Sequence, residues 1–129
     1  MLLRRVAITG RSMEPGLRQG DWIIVAALGR RPRVGEIVLA RDPRARERLV
    51  MKRVAAVSER ACTLLGDHPE ESTDSRQFGP VALADVLGRA VFRYAPRGRI
   101  GRLDGVGKMV TWGSSGARAA VSNVRERAR

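Results

Sequence analysis

Ser12 and Lys52 are the residues of this 129-residue chain with which a nucleophilic reaction could be built. A serine hydroxyl is a poor nucleophile until a neighbouring base takes its proton. A lysine can be that base only while its amine is neutral. Its free pKa is about 10.4, so at neutral pH it is almost fully charged. Burial among apolar groups is what brings the value down. The chemistry therefore needs an exposed serine turn and a lysine inside a hydrophobic strand. Lys52 lies in the run Arg48-Leu49-Val50-Met51-Lys52-Arg53-Val54-Ala55-Ala56-Val57. Alternate strand residues share a face. Lys52 thus shares its face with Val50, Val54 and Ala56, while Arg53 is the polar exception on the other. The same pattern also fits a lysine reaching water along its stem. Ser12 follows a strand-like run in Thr9-Gly10-Arg11-Ser12-Met13-Glu14-Pro15-Gly16, where glycine and proline mark a turn. Taken alone, that segment also describes an ordinary loop serine. His68 is the single histidine and offers a second base, as in a Ser-His-Asp triad.

These side chains need a scaffold, and the first two thirds of the chain predict one made of short strands. Leu3–Thr9, Asp21–Ala26, Glu36–Arg41, Arg48–Val57 and Ala61–Leu65 are rich in Val, Ile and Leu and bounded by Gly, Pro and Asp. Gly20-Asp21 and Gly35-Glu36 open two similar turn-to-strand passages. Between Leu83 and Tyr94, a helical turn at 84–87 and then a strand from Arg89 are expected. The reading is a mainly β core with little helix, a folded-over barrel or sandwich. After Pro96 the composition turns basic and glycine-rich. Residues 97–129 read as a flexible tail, with a weakly amphipathic helix over 117–127 as the alternative.

Composition narrows the function classes. With 43% apolar residues the chain should bury a core without staples. Cys62 is the only cysteine, so an internal disulfide is excluded. No histidine–cysteine cluster has metal-ligand spacing, so neither metal nor cofactor is expected. The net charge of +12 raises nucleic acid or an anionic membrane as partners. The arginines are scattered, however, and few aromatics sit among them as stacking platforms, so no nucleic acid is expected. No stretch approaches the roughly 20 apolar residues of a membrane-spanning helix. The first residues lack the apolar core of a secretory signal. The expected location is cytoplasmic, with peripheral membrane contact as the alternative.

Four segments in order resemble the motifs of type I signal peptidases. Gly10-Arg11-Ser12-Met13-Glu14-Pro15 is similar to the family's nucleophile motif, and Gly20-Asp21-Trp22-Ile23-Ile24-Val25 to the strand motif after it. Lys52-Arg53-Val54 resembles the segment carrying the general base. Gly66-Asp67-His68, followed by Ser72-Thr73-Asp74-Ser75-Arg76 and Gly79, resembles the last motif, with His68 in place of its asparagine. The likeness covers residues 6–95 and implies a catalytic domain over 1–96.

The resemblance implies Ser12 as nucleophile and Lys52 as general base, with Ser72 orienting the lysine. Asp74 and Arg76 would hold the active-site loop. Asp67 belongs to the same motif, Met13 would lie beside the substrate cleft, and Gly10 stands where some members carry a hydroxyl donor to the oxyanion. The implied activity is removal of an N-terminal leader or propeptide from a precursor bound in extended form. The end of the domain, Val86 to Pro96, resembles the short maturation proteases of nickel-type superoxide dismutase. A signal peptidase acting at a membrane is one alternative. A self-cleaving repressor domain with the same dyad and a non-enzymatic basic binder of nucleic acid or membrane are others.

Overall fold

The structure, a computed structural model, describes residues 3–103 and, for the backbone, 123–127. Nine antiparallel strands form one sheet: β1 (Leu3–Thr9), β2 (Trp22–Ala26), β3 (Ile37–Asp42), β4 (Ala45–Val57), β5 (Ala61–Leu65), β6 (Val81–Ala82), β7 (Val86–Ala95), β8 (Gly101–Arg102) and β9 (Asn123–Arg127). Their order is β6-β5-β4-β3-β7-β2-β1-β9, with β8 on β7. β9 at one end of this order also approaches β4, so the sheet curls over on itself. This is the expected folded, mainly β core. Among the described residues the one α-helix is the single turn α1 (Ser75–Phe78).

The predicted strands form within a few residues of their expected limits. β4 starts earlier, at Ala45, because the hairpin with β3 closes there through the Asp42–Ala45 pair. The helical turn before β7 is a 3-10 turn at Leu83–Asp85. β6 is held by β5, and α1 is a single turn whose one local signal is the Asp74–Gln77 capping box. Residues assigned by composition to a tail contribute to the body as far as Leu103. Arg97–Arg99 form a 3-10 turn, β8 pairs with β7, and Leu103 packs against the core. Asn123–Arg127 is a strand on β1 and not part of a helix. Residues 104–122 lie outside the described residues.

Both faces of the β3–β4 ladder are buried. One packs Ile37, Leu39 and Met51 against Val6, Ile8, Met13, Leu17, Ile23 and Val25. The other packs Val38, Ala40, Val50 and Val54 against Cys62, Leu64 and Val81. A sheet covered on both sides gives continuous apolar runs in place of clean alternation. That is why β3 and the middle of β4 read as nearly unbroken hydrophobic stretches.

The two glycine–acid turns share one geometry. Gly20 and Gly35 take φ of 95° and 96°, a region that favours glycine. The acid that follows each accepts from the backbone three residues back: Arg18 N to Asp21 Oδ2 at 2.9 Å, and Arg33 N to Glu36 Oε1 at 2.7 Å. Among the described residues the six buried carboxylates, Asp21, Glu36, Asp42, Asp67, Asp74 and Asp85, each face an arginine. Part of the arginine excess is therefore internal wiring, since a buried charge persists only when paired.

Candidate active site

The turn between β1 and β2 carries Ser12, and the middle of β4 carries Lys52. Backbone bonds close the turn at its base, Ile8 N to Asp21 O and Gly20 N to Ile8 O, each 2.9 Å. Within it, Leu17 N donates to Met13 O at 2.9 Å. Arg11, Pro15 and Gly16 face solvent, while Ser12, Met13 and Leu17 point inward. The expectation of an exposed serine is corrected here: Ser12 is 0% exposed. The turn folds back on the core because Met13 and Leu17 are apolar anchors within the first cluster.

Lys52 Nζ lies 2.8 Å from Ser12 Oγ and donates to it. It also donates to Ser72 Oγ at 3.2 Å. Lys52 is 0% exposed and does not reach out to water. Its strand neighbours Val50 and Val54, and its cross-strand partner Val38, belong to the second apolar cluster. Desolvation by these groups brings its pKa down to about 7; Asp74 opposes that shift and Arg76 assists it. The lysine is therefore partly neutral at physiological pH. A neutral amine presents a lone pair, and the hydroxyl of Ser12 can then donate to it.

Ser72 links this pair to a charged anchor. Its hydroxyl donates to Asp74 Oδ2 at 3.0 Å while accepting from Lys52. Asp74 also accepts from Gly66 N at 2.8 Å, and from Arg76 through Nη2 at 2.8 Å and Nε at 3.0 Å. Burial works to raise its pKa, but the Arg76 guanidinium and these N–H donors outweigh that and hold it low, so Asp74 stays an acceptor. It also caps α1, with Gln77 returning a bond to its backbone N–H. Gly66 is required at this junction by space. A Cβ there would stand 2.0 Å from Ser72 Oγ and 2.8 Å from Ser12 O.

The 66–68 segment docks on the serine turn. His68 N donates to Ser12 O at 2.7 Å and Asp67 N to Met13 Sδ at 3.4 Å. Met13 is 1% exposed and anchors the turn inside the core. The His68 ring faces Arg11 O at 3.3 Å. Asp67 is held by Arg53, whose Nε and Nη2 donate at 2.9 and 2.8 Å while Nη1 reaches Gly35 O. Arg53 went unassigned in the sequence, although its isolation on an apolar strand face was a signal for a buried partner. Gly10 begins the turn with φ of 87°. Among the described residues there is no cluster that could hold a metal ion.

A serine, a lysine and a second serine are thus joined in one buried hydrogen-bonded chain within a mainly β fold, and comparison with known proteins gives the protein's class. The chain belongs to the family described as signal peptidase, peptidase S26, which it matches over residues 1–61 and 55–95. It is thus a member of a family of precursor-processing peptidases. It is 32% identical to the mitochondrial ATP-independent inner membrane protease subunit 1a of Arabidopsis thaliana, over 74% of this chain and 73% of that protein. It is 30% identical to the mitochondrial inner membrane protease subunit 1 of Xenopus tropicalis, over 76% and 72%. With subunit 2 of Schizosaccharomyces pombe the identity is 27%, over 75% and 67%.

Proposed function

We propose that the chain is a serine endopeptidase that removes an N-terminal leader or propeptide from a precursor protein, with Ser12 as nucleophile and Lys52 as general base. The observation that carries this reading is the 2.8 Å contact between Lys52 Nζ and Ser12 Oγ in an apolar environment. Neutral Lys52 accepts the Ser12 proton as Oγ bonds to the scissile carbonyl carbon. The resulting ammonium returns the proton to the leaving amine as the C–N bond breaks, leaving an ester on Ser12. Lys52 then activates a water that attacks this ester and regenerates Ser12. The Ser12 N–H serves the oxyanion; Gly10 adds no hydroxyl. Ser72 orients the amine, and Asp74 with Arg76 fixes Ser72.

Two settings are compatible with this chemistry. The likeness of residues 86–96 to nickel-type superoxide dismutase maturation proteases favours a propeptide substrate in the cytoplasm. The names of the mitochondrial relatives favour work at a membrane as a subunit of a larger protease. Among the described residues no helix is long and apolar enough to cross a membrane. Incubation with a nickel superoxide dismutase precursor and with a secretory precursor carrying an Ala-X-Ala site, read by mass spectrometry beside a Ser12→Ala control, separates them. Ser12-dependent trimming of the first alone supports the cytoplasmic reading, and trimming of the second supports the membrane one. Cleavage that survives Ser12→Ala removes the proposed nucleophile.

A further inference from the structure

The serine turn is gripped on two sides. On one side are Asp67 and His68, which belong to the Lys52 network. On the other are Arg93, near the end of β7, and Arg99, at the end of the 3-10 turn in the basic stretch. Both guanidiniums converge on Asp21 and on the carbonyl of Gly16, four positions beyond Ser12. Arg93 Nη1 donates to Gly16 O at 2.7 Å and to Asp21 Oδ2 at 3.2 Å. Arg99 Nη2 donates to Gly16 O at 3.3 Å and to Asp21 Oδ2 at 3.2 Å, and its Nε to Asp21 Oδ1 at 3.2 Å. Arg93 Nε also donates to the carbonyl of Arg99, so one arginine holds the other's backbone. Asp21 is 1% exposed and closes the base of the turn.

The geometry transmits this grip to Ser12. Gly16 is joined to Met13 through the Leu17 N to Met13 O bond, and Met13 directly follows Ser12. Fixing the Gly16 carbonyl therefore fixes the far leg of the turn whose near leg carries the hydroxyl. A second glycine–acid turn in the same molecule shows what such a device looks like without a site. Glu36 makes the same backbone contact as Asp21 and is bound by Arg30, at 2.6 and 3.2 Å. That pair touches no residue of the serine turn. There one arginine hydrogen-bonds the acid, with the charge of Arg89 also acting on it, whereas the acid beside Ser12 is hydrogen-bonded by two, each also reaching a loop carbonyl.

We propose that Arg93 and Arg99 are positioning residues of the peptidase, which set the Ser12 hydroxyl against Lys52 through Asp21 and the Gly16 carbonyl. The inference rests on the Ser12–Lys52 reading and extends the functional site to residues beyond Pro96. A misplacement of about 1 Å at a reacting group can cost around 100-fold in rate. Loosening the clamp is thus expected to act on kcat more than on KM.

The test compares Arg99→Gln, Arg93→Gln, the milder Arg99→Lys and the matched control Arg30→Gln. Steady-state kinetics use whichever of the two precursors the wild type cleaves. The Lys52 amine is titrated in parallel by NMR of protein carrying isotope-labelled lysine, which is simple because the chain has two lysines, Lys52 and Lys108. The expected result is a fall in kcat of about 10–100-fold for both Gln variants at nearly constant KM, with partial recovery in Arg99→Lys. Their Lys52 midpoint should rise, because a displaced turn admits water to the amine. Arg30→Gln should lower thermal stability while leaving kcat and the midpoint alone. An unchanged kcat and midpoint in folded Arg99→Gln and Arg93→Gln overturns the proposal. So does an equal loss in Arg30→Gln. Where neither precursor is cleaved, the midpoint alone decides. Failure of the Ser12–Lys52 reading registers separately, as cleavage retained by Ser12→Ala.

Discussion

The two buried faces of the β3–β4 ladder are built from the same kinds of residue and put to different uses. Met51 and Lys52 are neighbours, both 0% exposed, and point into opposite clusters. Met51 meets only apolar partners and contributes the ordinary free energy of burial. Lys52 meets an apolar wall and, at its tip, Ser12 and Ser72. The wall that would stabilise a methionine disfavours an ammonium. The same packing energy thus holds one face together and keeps the amine on the other poised near neutrality. A buried cluster becomes chemically useful when one ionisable group lies in it and its hydrogen bonds end on a fixed acceptor, here Asp74.

Several changes would sharpen or break that contrast. The largest effect is expected from Ser12→Ala and Lys52→Ala, which should each lower cleavage by about 1000-fold or more with the fold retained. Circular dichroism beside precursor cleavage checks this, and near-normal activity in either variant would refute the dyad. Met51→Ala should instead cost about 2–5 kcal/mol of stability, read by denaturant unfolding. Its activity per folded molecule should fall far less than in the dyad variants.

Lys52→Met is the converse case: inactive, yet more stable than the parent at neutral pH, by about 1 kcal/mol or more, since it removes a desolvated amine. The sign with pH follows from the lowered folded value of about 7 against the ordinary 10.5. Below 7 both folded and unfolded chains carry the proton, so the destabilisation is full and constant. Between about 7 and 10.5 the unfolded chain binds more protons, and the parent's stability rises with pH. The advantage of Lys52→Met should therefore be greatest in acid and fade toward pH 10.5. Melting curves of both proteins across this range test it, and a constant difference would contradict a depressed lysine. Cleavage should rise with pH through a midpoint near 7.

A smaller loss of activity than in the dyad variants is expected at Ser72. Ser72→Ala removes the link to Asp74 but leaves the Ser12 contact, so kcat should drop about 10- to 100-fold. An unchanged rate would show that Lys52 needs no orientation from that side.

Much of the fold was legible because it follows from local chemistry. The strand runs, the turns at Gly20 and Gly35 and the break before β7 are set by β-branched residues, glycine and proline within a few positions of one another. The elements that were not legible are short: β6 and β9 are stabilised by distant strands, and α1 is a single turn held by its own cap at Asp74. At the site, residue types pointed to Ser12 and Lys52, and the family resemblance to Ser72, Asp74 and Arg76; these five form one connected chain. The contacts of Arg93 and Arg99 were hidden, since an arginine in a chain of net charge +12 carries no local mark of its partner, whereas Arg53 was marked only by its apolar strand face.

By itself, then, the sequence determined which segments are extended, where the chain turns and which residues could react. The tertiary structure decided the rest. It turned Ser12 inward, placed Lys52 and not the His68 ring on its hydroxyl, and brought Arg93 and Arg99 across more than seventy positions to Asp21. The physical reason is that desolvation and charge pairing depend on what lies within a few ångströms in space. Periodicity reports the direction of a side chain, and only the packed sheet supplies what it meets.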